Sequence, residues 1–289
     1  MKWITAFLAL EPVKDIPRAT MRGLALYAAL VVVFVVLERF LGKNIGHYRN
    51  RSVINDFVYC IFFNGGYFTL TVWPLLKLTQ HMLAPFRLNI LPRMPLPAAV
   101  IVFYIIIDFS FYWAHRLMHT KYFWPFHTVH HSQEQLTVLT TARFHILDVA
   151  VFTIVTAIPA IILGFPLPVA ILPWIMLVLD KVQHANVDWT YGPLYSFVVS
   201  PRYHRIHHAV DPKVHNRNFG RLFTCWDHIF GTVADSKEEP QRFGVDGLQM
   251  PETLTAQFIM PFSMLIDRIR RTDEPASQPA SQEAGISVG

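Results

Sequence analysis

The chain has 289 residues, of which 53% are hydrophobic and only 16% are charged. Soluble globular domains carry about 25% charged residues, so this composition excludes an ordinary soluble domain and predicts an integral membrane protein. The net charge of +5 is modest, and the basic residues form no cluster of the kind that binds nucleic acid, so no nucleic-acid partner is predicted.

Two apolar segments near the N-terminus predict membrane spans. The first covers residues 24–37 and, with its flanks, gives about 17 residues, the lower limit for crossing a bilayer. The second covers residues 53–76 and contains Gly65, Gly66 and several polar residues, which predicts packing against protein rather than lipid. The loop between the two segments is basic, which predicts that it lies in the cytoplasm.

A third helix is predicted to begin near Pro97 and to meet no helix breaker before His119. Its length would be roughly 36 Å, which exceeds the roughly 30 Å of hydrocarbon in a bilayer. The last turn, which carries His115 and His119, is therefore predicted to project into water on the cytoplasmic side.

Two shorter apolar arms, Ile146–Leu163 and residues 169–179, flank a turn at residues 164–168. They predict a helical hairpin that enters the bilayer and returns to its own side. Such a hairpin places the histidine-rich segments 115–145 and 184–228 on one membrane face, where they can meet.

The predicted fold class is therefore all-α: an integral membrane helical bundle with a cytosolic, histidine-rich helical cap. Residues 1–96 are predicted to hold the N-terminal transmembrane helices and a connection, and residues 97–240 carry the histidine motifs. Residues 241–271 form a C-terminal cap segment. Residues 272–289, rich in Ser, Pro, Ala, Gln and Glu, are predicted to be a disordered tail.

One histidine pattern occurs twice, as His-x-x-His-His at residues 127–131 and again at residues 204–208. On an α-helix the positions i, i+3 and i+4 share one face, so each triplet aims its imidazoles at one region. With His115-x-x-x-His119, eight histidines fall in three clusters: His115, His119, His127, His130, His131, His204, His207 and His208. One metal takes about four to six protein ligands, so eight imidazoles predict two metals.

The remaining histidines differ in their predicted roles. His184 follows the second arm of the hairpin and is predicted to be a ninth ligand. His145 remains open as a ligand, a substrate contact or a group that supports a ligand, and His228 is predicted to be structural. Three histidines stand alone in their segments and are not expected to bind metal: His47, His81 and His215.

Acidic residues near the clusters are expected mainly to accept hydrogen bonds from ligand rings, because the chain contains neither His-Glu-x-x-His nor Glu-x-x-His. The candidates are Asp108, Glu134, Asp148, Asp180, Asp188 and Asp227. Direct metal ligation also remains open for Asp108, Asp180 and Asp227. For Asp108 and Asp180, which lie at or near membrane depth, a polar contact between helices is an equally good explanation.

Five motifs in this order resemble the fatty acid hydroxylase, or sterol desaturase, superfamily over about residues 95–235. They are Asp108-Phe-Ser-Phe-Tyr-Trp-Ala-His115-Arg-Leu-Met-His119, Pro125-Phe-His-Thr-Val-His-His-Ser132, His204-Arg-Ile-His-His208 followed by Asn218-Phe-Gly220, and Trp226-Asp-His-Ile-Phe-Gly-Thr232. The resemblance implies a membrane enzyme with a nonhaem diiron centre on the cytosolic face, whose iron ligands are the eight clustered histidines and His184. One departure is His145-Ile-Leu-Asp148, where many members have His-Pro-x-Glu.

The resemblance implies an oxidoreductase that uses O2 and external electrons to hydroxylate or desaturate a lipid. Two Fe ions are the expected cofactors, and zinc, which binds such sites more tightly than Fe(II), can replace them on purification. The electrons are expected from a separate ferredoxin or cytochrome with its reductase. The alternatives are a membrane metal-storage or transport protein and a b-type haem carrier, and metal analysis with an optical spectrum separates all three.

Overall fold

The structure of the protein, a computed structural model, describes residues 15–41, 43–164, 172–235 and 239–273. These residues form helices, turns and two isolated bridges, and they contain no β-sheet, which confirms the all-α prediction. The α-helices in chain order are α1 (Ile16–Phe40), α2 (Arg51–Phe62), α3 (Trp73–Met82), α4 (Leu96–Met118), α5 (Trp124–His131), α6 (Ile146–Leu163), α7 (Leu172–His184), α8 (Pro201–His207), α9 (Cys225–Ile229) and α10 (Leu254–Asp273).

Within the described ranges, three helices are long and apolar enough to cross a membrane: α1, α4 and α6. Their outer faces carry large apolar side chains that no protein covers, including Val32 on α1 and Ile101 on α4. A bilayer would shield this surface, because water does not solvate a continuous apolar face without cost. The 18-residue helix α6, expected as one arm of a partial hairpin, is itself long enough to span.

The segment predicted to span the membrane over residues 53–76 is not one continuous helix. Helix α2 passes into a π-helical segment, Phe63–Val72, before α3 begins. The break occurs at Gly66, whose φ of 120° is readily adopted only by glycine. Pro74 then stands in the first turn of α3, where a proline loses no hydrogen bond.

The C-terminal ends of α4 and α7 carry His115 and His184, and the first turn of α6 carries Asp148, which contacts His127. Phe34, near the C-terminal end of α1, packs with Val138, Ala185 and Val187, which lie beside the histidine segments. At the opposite end of the bundle, the backbone N–H of Leu88 donates to the carbonyl of Ile162, near the end of α6. Helix α6 therefore leads away from the histidines and α7 leads back. The turn predicted at residues 164–168 lies, apart from Gly164, outside the described residues.

The two other C-terminal predictions have different outcomes. The cap segment contains α10, which packs on α5 through the rings of Phe262 and Phe126, whose centroids are 5.3 Å apart. The predicted disordered tail lies almost entirely beyond residue 273, outside the described residues.

Candidate metal centre

Two short helices present the repeated histidine triplets. Helix α5 carries the first triplet, and Pro125 stands in its first turn. Helix α8 carries the second, begins with Pro201, and is capped by Ser200, whose Oγ accepts a hydrogen bond from the backbone N–H of Tyr203 at 3.2 Å. Proline and serine at these positions start a helix at a defined residue, which fixes the direction of the histidine face.

Nine histidines from four helices form two adjacent groups, and within each group one nitrogen of every ring lies within 4.8 Å of the others. The first group consists of His115, His119, His127, His131 and His207, and the second of His130, His184, His204 and His208. All nine predicted ligands are thus brought together. Each triplet is divided between the groups. His130 belongs to the second group while the other two rings of its triplet belong to the first, and His207 belongs to the first group while the other two rings of its triplet belong to the second.

In the first group, the Nδ1–H of four rings donates to an oxygen outside the group. His115 donates to the carbonyl of Phe219 at 2.9 Å and His207 to the carbonyl of Arg217 at 2.7 Å. His127 donates to Oδ2 of Asp148 at 3.0 Å and His119 to Oδ1 of Asn216 at 3.3 Å. A ring that donates from Nδ1 has its lone pair on Nε2. The Nε2 atoms of His127 and His207 are buried and have no hydrogen-bond partner among the described residues.

The second group shows a conflict that a cation would relieve. His130 donates from Nδ1 to the carbonyl of Arg143 at 3.1 Å, and His184 donates from Nδ1 to the carbonyl of Asp180 at 2.8 Å. Both Nε2 atoms therefore carry lone pairs, yet they lie only 3.3 Å apart. Two facing lone pairs repel in a buried site, and a shared metal ion is the partner that this donor set fits.

Burial keeps the imidazoles neutral. Loss of water lowers the pKa of the six rings on α5 and α8 well below its ordinary value, and repulsion among the rings lowers it further: His127, His130, His131, His204, His207 and His208. Neutral imidazole is the form that binds a metal ion, so the site does not need to lose protons to be loaded near neutral pH.

Comparison with known proteins places this site in a family. The model of the fatty acid hydroxylase family matches residues 100–232. The ornithine lipid hydroxylase of Rhizobium tropici is 30% identical over 249 residues, which cover 82% of this chain and 74% of the relative. The chain belongs to the fatty acid hydroxylase family. The predicted resemblance is thereby confirmed.

Two further relatives of the chain are named for other lipids. The alkylglycerol monooxygenase of Caenorhabditis elegans is 30% identical over 140 residues, which cover 48% of this chain and 28% of the relative. The methylsterol monooxygenase 1-1 of Arabidopsis thaliana is 27% identical over 221 residues, which cover 70% of this chain and 72% of the relative. No solved structure matches the chain. The chain is an oxidoreductase that modifies a lipid, as predicted, and these relatives give no support to the metal-transport alternative.

Among the acidic candidates from the sequence, Asp148 alone contacts a ring of either group through its carboxylate within the described ranges. Asp108, Asp180 and Asp227 belong to neither group. Asp180 pairs with Arg221 through its carboxylate and meets His184 only through its backbone carbonyl. The sequence alone could not show whether Asp108, Asp180 and Asp227 contact a histidine ring, because all three lie near the histidines along the chain or along a helix.

Asp108 and Asp227 act on the loop that follows α8. Asp108 accepts hydrogen bonds from the backbone N–H of Leu222 at 2.8 Å and of Phe223 at 3.1 Å. Asp227 accepts from the backbone N–H of Phe219 and Gly220, each at 2.8 Å. These bonds fix the loop whose Phe219 carbonyl orients His115. Burial raises the pKa of Asp227, and its hydrogen bonds counter that rise.

His145, which the sequence left open as a ligand, lies outside both groups. Its Nδ1 accepts a hydrogen bond from the backbone N–H of Leu147 at 3.0 Å and caps α6, while its Nε2–H donates to the carbonyl of Phe258 at 3.0 Å. Both ring nitrogens are therefore occupied, so metal ligation by His145 is corrected to a capping role. The lone histidines and His228 also stand outside the groups.

A cavity of about 600 Å³ opens beside the histidines, within the range typical of small-molecule sites. Its walls are mainly apolar and include Phe111, Val149 and Phe152. Rings of both groups line it: His115, His127, His130 and His184. A lipid bound in this cavity would be in contact with the face of both histidine groups.

Some residues of the site were not foreseen from the sequence. The orienting carbonyls of Arg143, Arg217 and Phe219 belong to the backbone, which every residue has, so no side-chain pattern reveals them. Arg143 is held by a buried ion pair with Asp56 of α2. A charged pair so far apart in sequence has no local signature. The loop that contains Phe219, in contrast, was marked in the sequence by the Asn-Phe-Gly motif at residues 218–220.

Proposed function

We propose that the protein is a membrane monooxygenase in which a nonhaem diiron centre oxidises a lipid with O2. The observation that carries the proposal is the division of nine buried histidines into groups of five and four, with ring lone pairs that converge. In this proposal the first group holds one iron and the second group holds the other. Irons held in this way would supply the activation of O2 that attack on an unactivated C–H bond requires.

The chain's own contribution is to orient the ligands and to exclude water. Nδ1–H donation to fixed oxygens holds six of the nine rings at one angle and in one tautomer, and such support typically changes metal affinity about 10–100-fold. Aromatic rings shield the histidines on the cavity side. Phe144 stacks on His130 with a centroid distance of 4.3 Å, and Phe152 lies 5.9 Å from His115. A dry site favours oxidation of the bound lipid over side reactions with water.

The reaction needs a separate electron donor. Hydroxylation of a C–H bond by one O2 consumes two electrons and two protons and releases one water, so electrons must reach the site for every turnover. We propose that a ferredoxin or a cytochrome with its reductase supplies them at the cytoplasmic face. The basic segment at the end of α1 and just after it, with Arg39, Lys43 and Arg49, supports this orientation, because such segments lie preferentially inside.

Reporter fusions test the orientation. A reporter inserted near residue 47 and one fused after residue 240 are both expected in the cytoplasm. The chain leaves the histidine end between α2 and residue 88 and returns along α4, and then α6 leads away and α7 leads back, so the number of crossings is even. Reporters on opposite sides of the membrane would contradict it.

We propose an amphiphilic lipid with a polar head as the substrate. Support comes from the ornithine lipid hydroxylase, which this chain matches over 82% of its own length, while alkylglycerol and methylsterol are the substrate types of the other relatives' names. The apolar walls of the cavity suit an acyl or alkyl chain. Hydroxylation is favoured over desaturation by the names of these relatives.

The decisive experiment compares the membrane lipids of a deletion strain with those of the complemented strain. A lipid that lacks one oxygen atom in the deletion strain would identify a hydroxylase, and one that retains two extra hydrogens would identify a desaturase. Purified protein is then supplied with isotope-labelled O2, reductant and each of the three lipid types. Metal analysis is expected to give two irons per chain, and the optical spectrum should lack a Soret band. If the isotope label enters none of the lipids, the proposal is refuted. Purified protein that contains only zinc would not refute it.

A further inference from the structure

The cavity beside the histidines contains one fully buried cation whose charge nothing in the described chain neutralises directly. Lys181 of α7 lines the cavity, and its side chain has no exposed surface. Its Nζ has no hydrogen-bond partner in the part of the chain that the structure describes. An ammonium group carries three donors, and burying it without an acceptor is costly, so a bound group that supplies an acceptor would offset this cost.

The neighbours of Lys181 do not supply an acceptor. The ring of Tyr27 lies beneath Nζ, with 4.1 Å between Nζ and the ring centroid, and attracts the charge without accepting a conventional hydrogen bond. The adjacent carboxylate, Asp180, is occupied by the guanidinium of Arg221 through both of its oxygens. The cation of Lys181 therefore remains available to a ligand.

The charges that line the cavity sum to an excess of positive charge. Arg22, Lys181 and Arg221 are basic, and Asp180 is the single carboxylate among the described lining residues. Arg221 and Asp180 neutralise each other, which leaves Arg22 and Lys181. A concave, low-dielectric site with this excess attracts an anion.

We propose that Lys181 binds an anionic oxygen, of a carboxylate or a phosphate, on the lipid that enters the cavity. This inference rests on the proposed function, because it assigns a substrate class to the same site. The apolar walls formed by Leu26, Phe111 and Phe152 would hold the hydrocarbon part of the lipid. Lys181 lies one helical turn before His184, so the anionic head would be bound near the second histidine group.

Equilibrium binding of tritiated palmitate to the purified full-length chain tests the proposal. Three lipids with the same acyl chain are compared by competition: palmitate, which carries a carboxylate, 1-palmitoylglycerol 3-phosphate, which carries a phosphate, and 1-palmitoylglycerol, which is neutral. The wild-type protein should prefer at least one anionic lipid to the neutral one by about 10-fold or more, and the preferred lipid identifies the anion.

Lys181→Met keeps the length of the side chain and removes its charge. It should weaken binding of the preferred anionic lipid by about 10- to 100-fold and leave the neutral lipid unchanged, and Lys181→Arg should retain most of the affinity. The matched control is Lys77→Met, because Lys77 also lies over an aromatic ring, that of Trp73, but is exposed outside the cavity. Melting temperature and metal content show whether each variant is folded.

Three results would overturn the proposal: wild-type protein that binds the neutral lipid as tightly as both anionic lipids, Lys181→Met that keeps wild-type affinity for the preferred anionic lipid, or Lys181→Met that loses all three lipids equally. The first result needs no variant, so a misfolded Lys181→Met does not remove the test. Binding requires no turnover. Selective anion binding without oxidation of any lipid would therefore refute the proposed function alone.

Discussion

His127 and Asp148 form a fully buried pair in which Nδ1 of the ring lies 3.0 Å from Oδ2 of the carboxylate. The pair joins α5, which carries the first histidine triplet, to the first turn of α6. Because the carboxylate accepts a hydrogen bond from the Nδ1–H of His127, the lone pair of this ring is on Nε2, which faces the first group. The orientation of one proposed ligand thus depends on a residue of a different helix.

Asp148→Ala should lower the metal affinity of the first group about 10–100-fold, because His127 loses the acceptor that fixes its tautomer. Asp148→Asn should lie between this variant and the wild type, since the amide oxygen still accepts a hydrogen bond without the charge. Iron per chain is measured after dialysis against graded chelator. Asp246→Asn, at an exposed carboxylate, is the control. Unchanged chelator resistance in Asp148→Ala would contradict the assigned role.

His207→Ala and His130→Ala should each remove one metal, since the two residues belong to different groups. Each variant is expected to retain about half of the wild-type iron and to lose turnover, because the chemistry needs both ions. Metal analysis and product formation are measured on the same preparation. Loss of both ions from either single variant would show one coupled site, and full activity in either variant would rule out the diiron proposal.

The sequence predicted the nine proposed ligands but not their division between the groups. Helical spacing places the three rings of a triplet on one face, yet His130 meets His184, which lies 54 residues later in the chain. Which ring joins which group depends on how α5, α7 and α8 pack, and packing has no local signature. Metal ligation by His145 was left open for the same reason. Its position in the sequence, close to the clusters, does not reveal that both of its ring nitrogens make other hydrogen bonds.

The membrane helices were predicted where apolar residues run without interruption, as in α4, where the predicted start near Pro97 agrees with the structure. The prediction failed at Gly66, because composition alone gives the same mean hydropathy to a straight span and to a broken one. The conformation of that glycine depends on its tertiary neighbours, including Ile16 of α1, whose side chain lies 3.4 Å from where a β-carbon would stand.

His184→Gln should reduce metal affinity or activity by about 10–100-fold or more, which separates the ninth ligand from the lone histidines. Its Nε2 lies 3.0 Å from Nε2 of His204, so its removal takes a donor from the centre of the second group. His81→Gln is the matched control, because His81 is exposed and belongs to neither group; His47→Gln and His215→Gln should likewise keep wild-type metal content. Two metals with normal turnover in His184→Gln would show that it is not a ligand.

Thr153→Phe should block the lipid cavity without removing metal. Thr153 lines the cavity on α6, so an aromatic ring would occupy volume that the lipid needs. Turnover of the native lipid should fall about 10-fold or more, mainly through a higher KM, while iron content stays at the wild-type level. Ile101→Phe, on the exposed face of α4, controls for the added ring. Equal activity in both variants would place the substrate elsewhere.

The metal-free protein should lose stability as the pH falls below about 6.5, the ordinary pKa of histidine. In the folded chain, burial lowers the pKa of rings such as His127 and His204 well below that value, so these rings stay neutral while those of the unfolded chain take up protons. The unfolded state then binds more protons, and each such ring lowers the free energy of unfolding by up to about 1.4 kcal/mol per pH unit until the folded pKa is reached. Thermal unfolding of chelator-treated protein between about pH 7.5 and pH 5.5 measures this slope. The double variant His204→Gln with His208→Gln should show a shallower slope because it contributes two fewer rings, and a melting temperature that does not change over this range in the unmodified chain would contradict the prediction.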